Sequence, residues 1–503
     1  MQLNEQKSAE VIVVSRSRLE MKDRTCSQGN RIVTNESMTN KTENLKKAHL
    51  VEGMVNSIFK QEESSIESTQ ARRRPDAKDP AISLMESIVE RSNLFKALQR
   101  VENNRGAPGV DGMTVIELRS YCHKHWVEIR EALLGNTYKP SPVRRVEIPK
   151  ANGEGIRLLG IPTAMDRLIQ QAINQVLTPI FDPQFSESSF GFRPGRGAHD
   201  AIRQAQGYAK DGLNYVVDID LENFFNRVNH DRLMSTLHCQ IKDQRVLNLI
   251  RKYLNAGIMS NGVCVRNEEG VPQGSPLSPL LSNIVLDELD KELESRGHKF
   301  CRYADDINTY VSSPRAGERV LESLRNFVEK KLKLKVNEAK SKVDRVSERK
   351  FLGFSFTNEV ASRIRIAPQA MERVKKKLRS MTSRTQSISM NERLRRINEY
   401  MRGWLAYFHV AETPNSIEQL EKRLRRRLRQ CRLREWKLSK TKLRELRALK
   451  LDTDRAAEIA YSSKGSWRLS LTPQLHRTMG IAYWKSQGLM DVMGHYNKLR
   501  SAT

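Results

Sequence analysis

Tyr303-Ala304-Asp305-Asp306 places two adjacent carboxylates between segments that read as strands, 299–303 and 307–311. The pattern predicts a hairpin whose tip presents acid to a site. Neighbouring carboxylates repel each other and gain little from folding, so their use is to hold a divalent cation, whose charge reverses the local cost. A second acidic segment, Tyr215-Val216-Val217-Asp218-Ile219-Asp220, stands upstream. On an extended chain Tyr215, Val217 and Ile219 share one face and Val216, Asp218 and Asp220 the other, which directs both acids away from the core.

Charge then names the partner. With 87 Lys+Arg against 59 Asp+Glu the net charge is +28, far beyond what solubility requires, and such an excess points to a polyanion. A chain of 503 residues is long enough for about three domains. No apolar run approaches the ~20 residues that span a bilayer, so no membrane partner is expected. Residues 1–25 carry Glu5, Glu10, Glu20 and Asp23 and lack an apolar segment, which predicts a soluble protein of the bacterial cytoplasm. The six cysteines are scattered without any CxxC, so free thiols in a reducing compartment are expected.

Residues 1–78 are polar and poor in aromatics, the composition of a loosely structured extension with a short helix around 50–59. Organised sequence begins near Asp79, where Ile82, Met85, Ile88 and Val89 follow helical spacing. Gly106, Pro108, Gly109 and Gly112 mark a tight loop, and 143–148 reads as a strand before the basic-flanked turn 150–155. From 215 to 356 strands alternate with helices, the signature of an α/β unit. After Pro368 the chain turns helical and basic, culminating in Lys422, Arg423, Arg425, Arg426, Arg427, Arg429, Arg432 and Arg434. Leu424, Leu428 and Leu433 interleave with them, which predicts an amphipathic helix with one basic face toward phosphate.

Seven motifs occur in order over residues 109–354: Gly109-Val110-Asp111-Gly112, Ile161-Pro162-Thr163, Phe190-Gly191-Phe192-Arg193-Pro194, the acidic strand, Pro272-Gln273-Gly274-Ser275-Pro276-Leu277-Ser278-Pro279, Tyr303-Ala304-Asp305-Asp306 and Phe351-Leu352-Gly353-Phe354. Together they resemble a group II intron-encoded reverse transcriptase. Arg402-Gly403-Trp404-Leu405-Ala406-Tyr407-Phe408 is similar to the maturase region of that family, and residues 464–500 to the C-terminal segment of its bacterial members. The resemblance implies a right-hand polymerase: an N-terminal helix and fingers over 79–214, a palm over 215–365, a helical thumb and maturase region over 366–450, and a basic C-terminal segment over 451–503 that touches DNA or RNA.

The chemistry so implied is attack of a primer 3′-hydroxyl on the α-phosphate of an incoming dNTP, templated by RNA, with two Mg²⁺ ions, or Mn²⁺ as a substitute, clamping the attacking and leaving oxygens. Asp220, Asp305 and Asp306 align with the catalytic metal ligands, helped by the backbone carbonyl of Ile219 or Leu221, and Asp218 becomes a supporting acid. Lys150 and Arg157 flank the turn that embraces the triphosphate. Phe225 is the ring beside the sugar C2′ and Phe224 a core residue. Gln273 and Gly274 pack under the templating base and new nucleotide, and Lys340 either protonates pyrophosphate or is a solvated lysine at a helix end. Phe351, Leu352, Gly353 and Phe354 form the primer grip, and Arg193, Arg423, Arg426 and Arg427 face nucleic acid.

Two departures from the family stand out. Asn226 replaces the Asp that commonly follows the two phenylalanines, which is expected to touch fidelity or rate rather than abolish activity. No room remains before Thr503 for an appended HNH nuclease, so second-strand cleavage is not expected. Three roles stay open: a polymerase that also binds its group II intron RNA to assist splicing and retrohoming, an RNA-binding splicing factor with vestigial polymerisation, and a host-adopted enzyme of repair or defence.

Overall fold

The computed structural model describes residues 84–149, 156–260, 263–265, 270–383 and 386–502. The N-terminal extension, its short helix, Ile82 and Lys150 with its turn lie outside these residues. Three helices open the described chain: α1 (Leu84–Val89), α2 (Arg91–Asn104) and α3 (Leu118–Leu134). Met85, Ile88 and Val89 are buried, as their helical spacing predicts. Asp243 accepts from the Met85 N–H at 3.0 Å, tying the start of α1 to the palm.

The fingers hairpin pairs β1 (Val143–Pro149) with β2 (Ile156–Ile161) in antiparallel register, Ile148 opposite Arg157. Two short strands, β4 (Ile258–Ser260) and β5 (Val263–Val265), complete a four-stranded sheet in the order β2-β1-β4-β5. Helix α4 (Ala164–Phe181) follows, started by the Thr163 side chain accepting from the Asp166 N–H, and α5 (Ala198–Lys210) leads into the palm.

The palm sheet has the order β6-β7-β3-β8, built from β3 (Tyr215–Ile219), β6 (Lys299–Tyr303), β7 (Asp306–Val311) and β8 (Lys342–Arg345), every pair antiparallel. Helices α6 (His230–Gln240), α7 (Gln244–Asn255), α8 (Ser278–Ser295) and α9 (Pro314–Lys330) pack around it. The central strand β3 serves two cores. Val217 and Ile219 join the cluster that includes α4, α7 and α8, while Val216 joins a second cluster with Cys301 and Tyr310. The acid-bearing face is therefore not the outward face expected from strand parity. It is covered at Val216, and Asp218 and Asp220 at the other positions of that face remain partly accessible.

The second cluster extends through the helical half of the chain: the hairpin β9 (Phe354–Phe356) and β10 (Ile364–Ile366), then α10 (Pro368–Met381), α11 (Met390–Phe408), α12 (Pro414–Glu435) and α13 (Ser439–Ala448). Five further helices, α14 (Thr453–Ala460), α15 (Ser466–Leu469), α16 (Pro473–Thr478), α17 (Ile481–Ser486) and α18 (Val492–Ser501), pack back on it through Ile459, Leu469, Leu475, Trp484, Val492 and Tyr496.

The basic run on α12 is divided between solvent and interior, which corrects the expectation of a single phosphate-facing stripe. Arg425 and Arg429 are buried, Arg425 against Glu421 at 3.0 Å. Arg429 donates to the carbonyls of Ser470 (2.9 Å) and Met479 (3.3 Å), the residues that end α15 and α16. Short helices leave their last carbonyls unsatisfied, and a guanidinium supplies the missing donors. Burial is the main cause that lowers the Arg429 pKa to about 10, with Arg425 and Arg426 adding to it. Among the described residues, no helix is long and apolar enough to cross a membrane.

Candidate active site

Strands β6 and β7 meet in a two-residue turn, with Tyr303 opposite Asp306 and Ala304 at φ +58. Asp305 stands half-buried at the tip and Asp306 is exposed. Because Ile219 on β3 lies opposite Ile307 on β7, the next residue, Asp220, comes level with this tip. Beyond Ile219 the backbone changes partner: the Asp220 carbonyl accepts from the Asn337 N–H (2.8 Å) and the Glu222 N–H donates to the Lys335 carbonyl (2.8 Å). The Asp220 N–H donates to Ser341 Oγ at 3.0 Å. These bonds fix Asp220 while leaving its side chain 37% exposed, with Lys340 Nζ 3.3 Å from Oδ2.

Asp218 is held differently. It pairs with Arg349, and Asn308 Nδ2 donates to its Oδ1 at 3.3 Å in the amide orientation that satisfies both atoms. Burial raises its pKa above the usual carboxylate range, opposed by the Arg349 guanidinium.

Carboxylate oxygens that remain partly open suit a hard divalent cation. Among the described residues, no three acidic, His or Cys side chains close into a group that could enclose an ion alone. That is compatible with Mg²⁺, which keeps several waters and binds through one or two carboxylates plus substrate phosphates.

Phe224 is buried, the core position expected of it, and Phe225 is half-buried, their rings 5.2 Å apart. The Phe225 carbonyl accepts from the Val271 N–H at 2.5 Å, and Asn226 beside it is exposed. Gly270, at φ +91, packs so closely that a Cβ there would stand 2.7 Å from the Phe225 carbonyl oxygen. The following loop wedges against the fingers. Gln273 accepts from the Gly160 N–H at 2.8 Å, and at Gly274, φ +110, a Cβ would lie 2.8 Å from the Gly160 oxygen. Only a residue without a side chain fits that approach. Arg157 pairs its backbone with Ile148 on the same hairpin.

Phe351 and Phe354 are buried and exchange two backbone bonds of 2.9 Å across Leu352 (φ +53) and Gly353 (φ +83). The Leu352 carbonyl accepts from the Tyr407 hydroxyl (2.7 Å) and the Gly353 carbonyl from the Ala367 N–H (3.0 Å). Phe354 packs on Tyr407 and Phe408, and Phe408 on Trp404. Residues 404–408 of the maturase-like motif thus clamp the turn 351–354.

The arginines expected to face nucleic acid separate. Arg423 is exposed, Arg426 lies 3.8 Å over the half-exposed Trp467 ring, and Arg427 donates to Thr382 Oγ1. Arg193 does not face solvent. It is buried, with Nε on Asp182 Oδ1 (2.8 Å) and Nη1 on the Ser186 (2.6 Å) and Ser189 (3.0 Å) carbonyls, because the loop 182–193 folds around its guanidinium. Sequence reasoning also missed Asn283, Asp290 and Arg302, all buried behind the hairpin tip. Arg302, between Cys301 and Tyr303 on a strand that leads to the acidic tip, was the available signal, since a charge buried there requires a partner.

An antiparallel palm sheet with acids at a hairpin tip and a neighbouring strand end, flanked by a fingers hairpin and a helical thumb, defines a right-hand nucleic-acid polymerase. Residues 148–356 match the family described as reverse transcriptase (RNA-dependent DNA polymerase), and residues 371–449 the group II intron, maturase-specific domain. Protein YkfC of Escherichia coli strain K12 is 33% identical over 323 residues, 56% of this chain and 84% of that one. Group II intron-encoded protein LtrA of Lactococcus lactis subsp. cremoris is 36% identical over 208 residues, 41% of this chain but only 34% of LtrA. A chain of the partial Cas6-RT-Cas1–Cas2 complex aligns with a TM-score of 0.33 and 24% identity, covering 52% of this chain and 46% of that chain. This protein belongs to the group II intron type of reverse transcriptases, with a polymerase domain followed by a maturase-specific domain. The polymerase domain carries a general requirement for a divalent metal and an RNA template.

Proposed function

We propose that this protein extends a DNA primer with dNTPs on an RNA template, and that its helical half binds a group II intron RNA to assist splicing and retrohoming. The observation that carries the polymerase reading is the β3–β7 register, in which Ile219 opposite Ile307 brings Asp220 level with the hairpin tip that bears Asp305 and Asp306. Asp220 and Asp305, with Asp306 and a carbonyl of Ile219 or Leu221, would hold two Mg²⁺ ions, or Mn²⁺ in their place. When bound, such ions make the primer hydroxyl a better nucleophile and offset charge on the departing pyrophosphate.

The chain's own residues do the rest. Lys150 and Arg157 bind the triphosphate from the fingers hairpin, and Phe225 stands against C2′ to exclude a ribose hydroxyl. Gln273 and Gly274 support the templating base from a loop pinned to Gly160. Lys340, beside Asp220, holds a proton that can pass to pyrophosphate. The turn 351–354 holds the primer through backbone groups, and Arg423, Arg426 and Arg427 contribute phosphate contacts whose affinity falls steeply with salt.

The test is extension of a DNA primer annealed to RNA with Mg²⁺ and dNTPs, comparing the native protein with Asp305→Asn. Extension by the native protein and its loss in the variant, with RNA affinity retained, is the expected result. Tight RNA binding without extension by the native protein would replace this reading with that of a splicing factor.

A further inference from the structure

The hairpin tip that carries Asp305 is built around an ion pair with no exposure to solvent. Arg302, on β6, and Asp290, on α8, each have side chains 0% exposed. Arg302 Nε and Nη2 donate to the Asp290 carboxylate at 2.7 and 2.5 Å. Its Nη1 donates to Asn283 Oδ1 (2.8 Å) and to the carbonyl of Ala304 (3.1 Å), the residue immediately before Asp305. Asn283 Nδ2 in turn donates to the Gly191 carbonyl at 2.9 Å. Gly191 presses on the back of the tip, where an added Cβ would stand 2.2 Å from the Ala304 nitrogen. The strand beneath is pinned as well: the Arg302 N–H donates to the Ser188 carbonyl (2.9 Å) and the Phe190 N–H to the Arg302 carbonyl (2.9 Å).

Ala304 holds φ +58, a conformation alanine rarely adopts, so the tip needs external constraints to keep its shape. The guanidinium fork supplies one from inside and the Gly191 backbone a second from behind. A buried ion pair is weak support for stability, because apolar residues of similar size often serve as well. A pair whose remaining donor reaches the peptide ahead of a ligand residue acts on geometry.

We infer that Asn283, Asp290 and Arg302 are positioning residues that set the Ala304–Asp305 peptide, and through it the direction of the Asp305 carboxylate. This rests on the polymerase reading of Asp305. Misplacement of a reacting group by about an ångström costs on the order of 100-fold in rate.

Two variants of the full chain test it. Asn283→Ala removes the link to Gly191 and one Arg302 acceptor without stranding a charge, and Arg302→Met with Asp290→Leu removes the pair together. Hydrogen exchange over residues 303–306 and the Mg²⁺ dependence of primer extension are measured with thermal unfolding as control. We expect faster exchange at the tip alone, kcat lower by roughly 10- to 100-fold, a higher half-saturating Mg²⁺ concentration and an unchanged dNTP KM. Unaltered tip exchange in both folded variants overturns the inference, as does an unmoved Mg²⁺ dependence. If the native protein extends nothing while the variants still loosen the tip, positioning stands and the polymerase reading falls.

Discussion

The Tyr407 hydroxyl donates to the Leu352 carbonyl across 2.7 Å, joining helix α11 to the turn 351–354. Tyr407→Phe deletes that donor and keeps the ring on Phe354 and Phe408. We expect a stability loss of about 1 kcal/mol, that of one hydrogen bond, and a several-fold rise in the KM for primer–template. The dNTP KM should stay as it is. Steady-state extension at varied duplex and varied dNTP separates the two.

Phe225 and Phe224 should part company on substitution. Phe225→Ala opens half-buried space at the position proposed to stand against the sugar C2′, so ribonucleotide incorporation should rise with the fold intact. Phe224→Ala empties a core position and should cost about 3 kcal/mol. Single-nucleotide incorporation with matched rNTP and dNTP, beside chemical denaturation, checks both.

Arg193→Ala should destabilise rather than weaken nucleic-acid binding. It strands Asp182 and three backbone carbonyls, at a cost of about 3 kcal/mol. Urea unfolding should show the loss, while RNA affinity of the folded fraction and its salt slope stay unchanged. A changed salt slope would restore Arg193 to the phosphate-contacting set.

Acid should loosen the seam between α5 and α11 at His199. Its Nε2 lies 2.7 Å from the Tyr407 carbonyl. Burial lowers its pKa below the ordinary 6.5, aided by His409 and Arg203, while the Tyr407 carbonyl and Asp200 oppose the shift. The unfolded chain then takes up this proton more readily than the folded one. The associated stability is intact above about pH 6.5 and lost as pH falls through the lowered value. The drop in Tm between pH 7.5 and 5.5 should be smaller for His199→Gln than for the native protein; an equal drop sinks the assignment.

Local pattern made part of this molecule legible before folding. The strands around Asp305-Asp306 and the burial of Met85, Ile88 and Val89 follow from periodicity, and the burial of Phe224 follows from the resemblance. What stayed hidden depends on partners remote in sequence. Arg193 reads as a nucleic-acid contact, and Arg425 and Arg429 as members of one basic helix face, and only packing shows that they satisfy buried carbonyls and a buried glutamate. Parity correctly grouped Val216 with Asp218 and Asp220, yet gave no hint that Val216 would join an apolar cluster with α5 and the helical half of the chain. Nor does any local signal connect Asp220 to Lys340.

The sharing of one apolar cluster by Val216, Tyr310, Trp484 and Tyr496 has a consequence for the order of events at the ribosome. Helix α5, made before either acid-bearing strand, lies on β6 and β7 with Tyr208 against Tyr310, so the second face of the palm is partly covered as soon as the sheet forms. The rest of the cluster arrives last, because Trp484 and Tyr496 stand on α17 and α18. Until they emerge, the nascent helical half carries an open greasy surface of the kind that invites chaperones and aggregation. A chain stalled before α12 should protect β3 yet leave α11 protease-sensitive, and protection of α11 should appear only after α18 has cleared the exit tunnel.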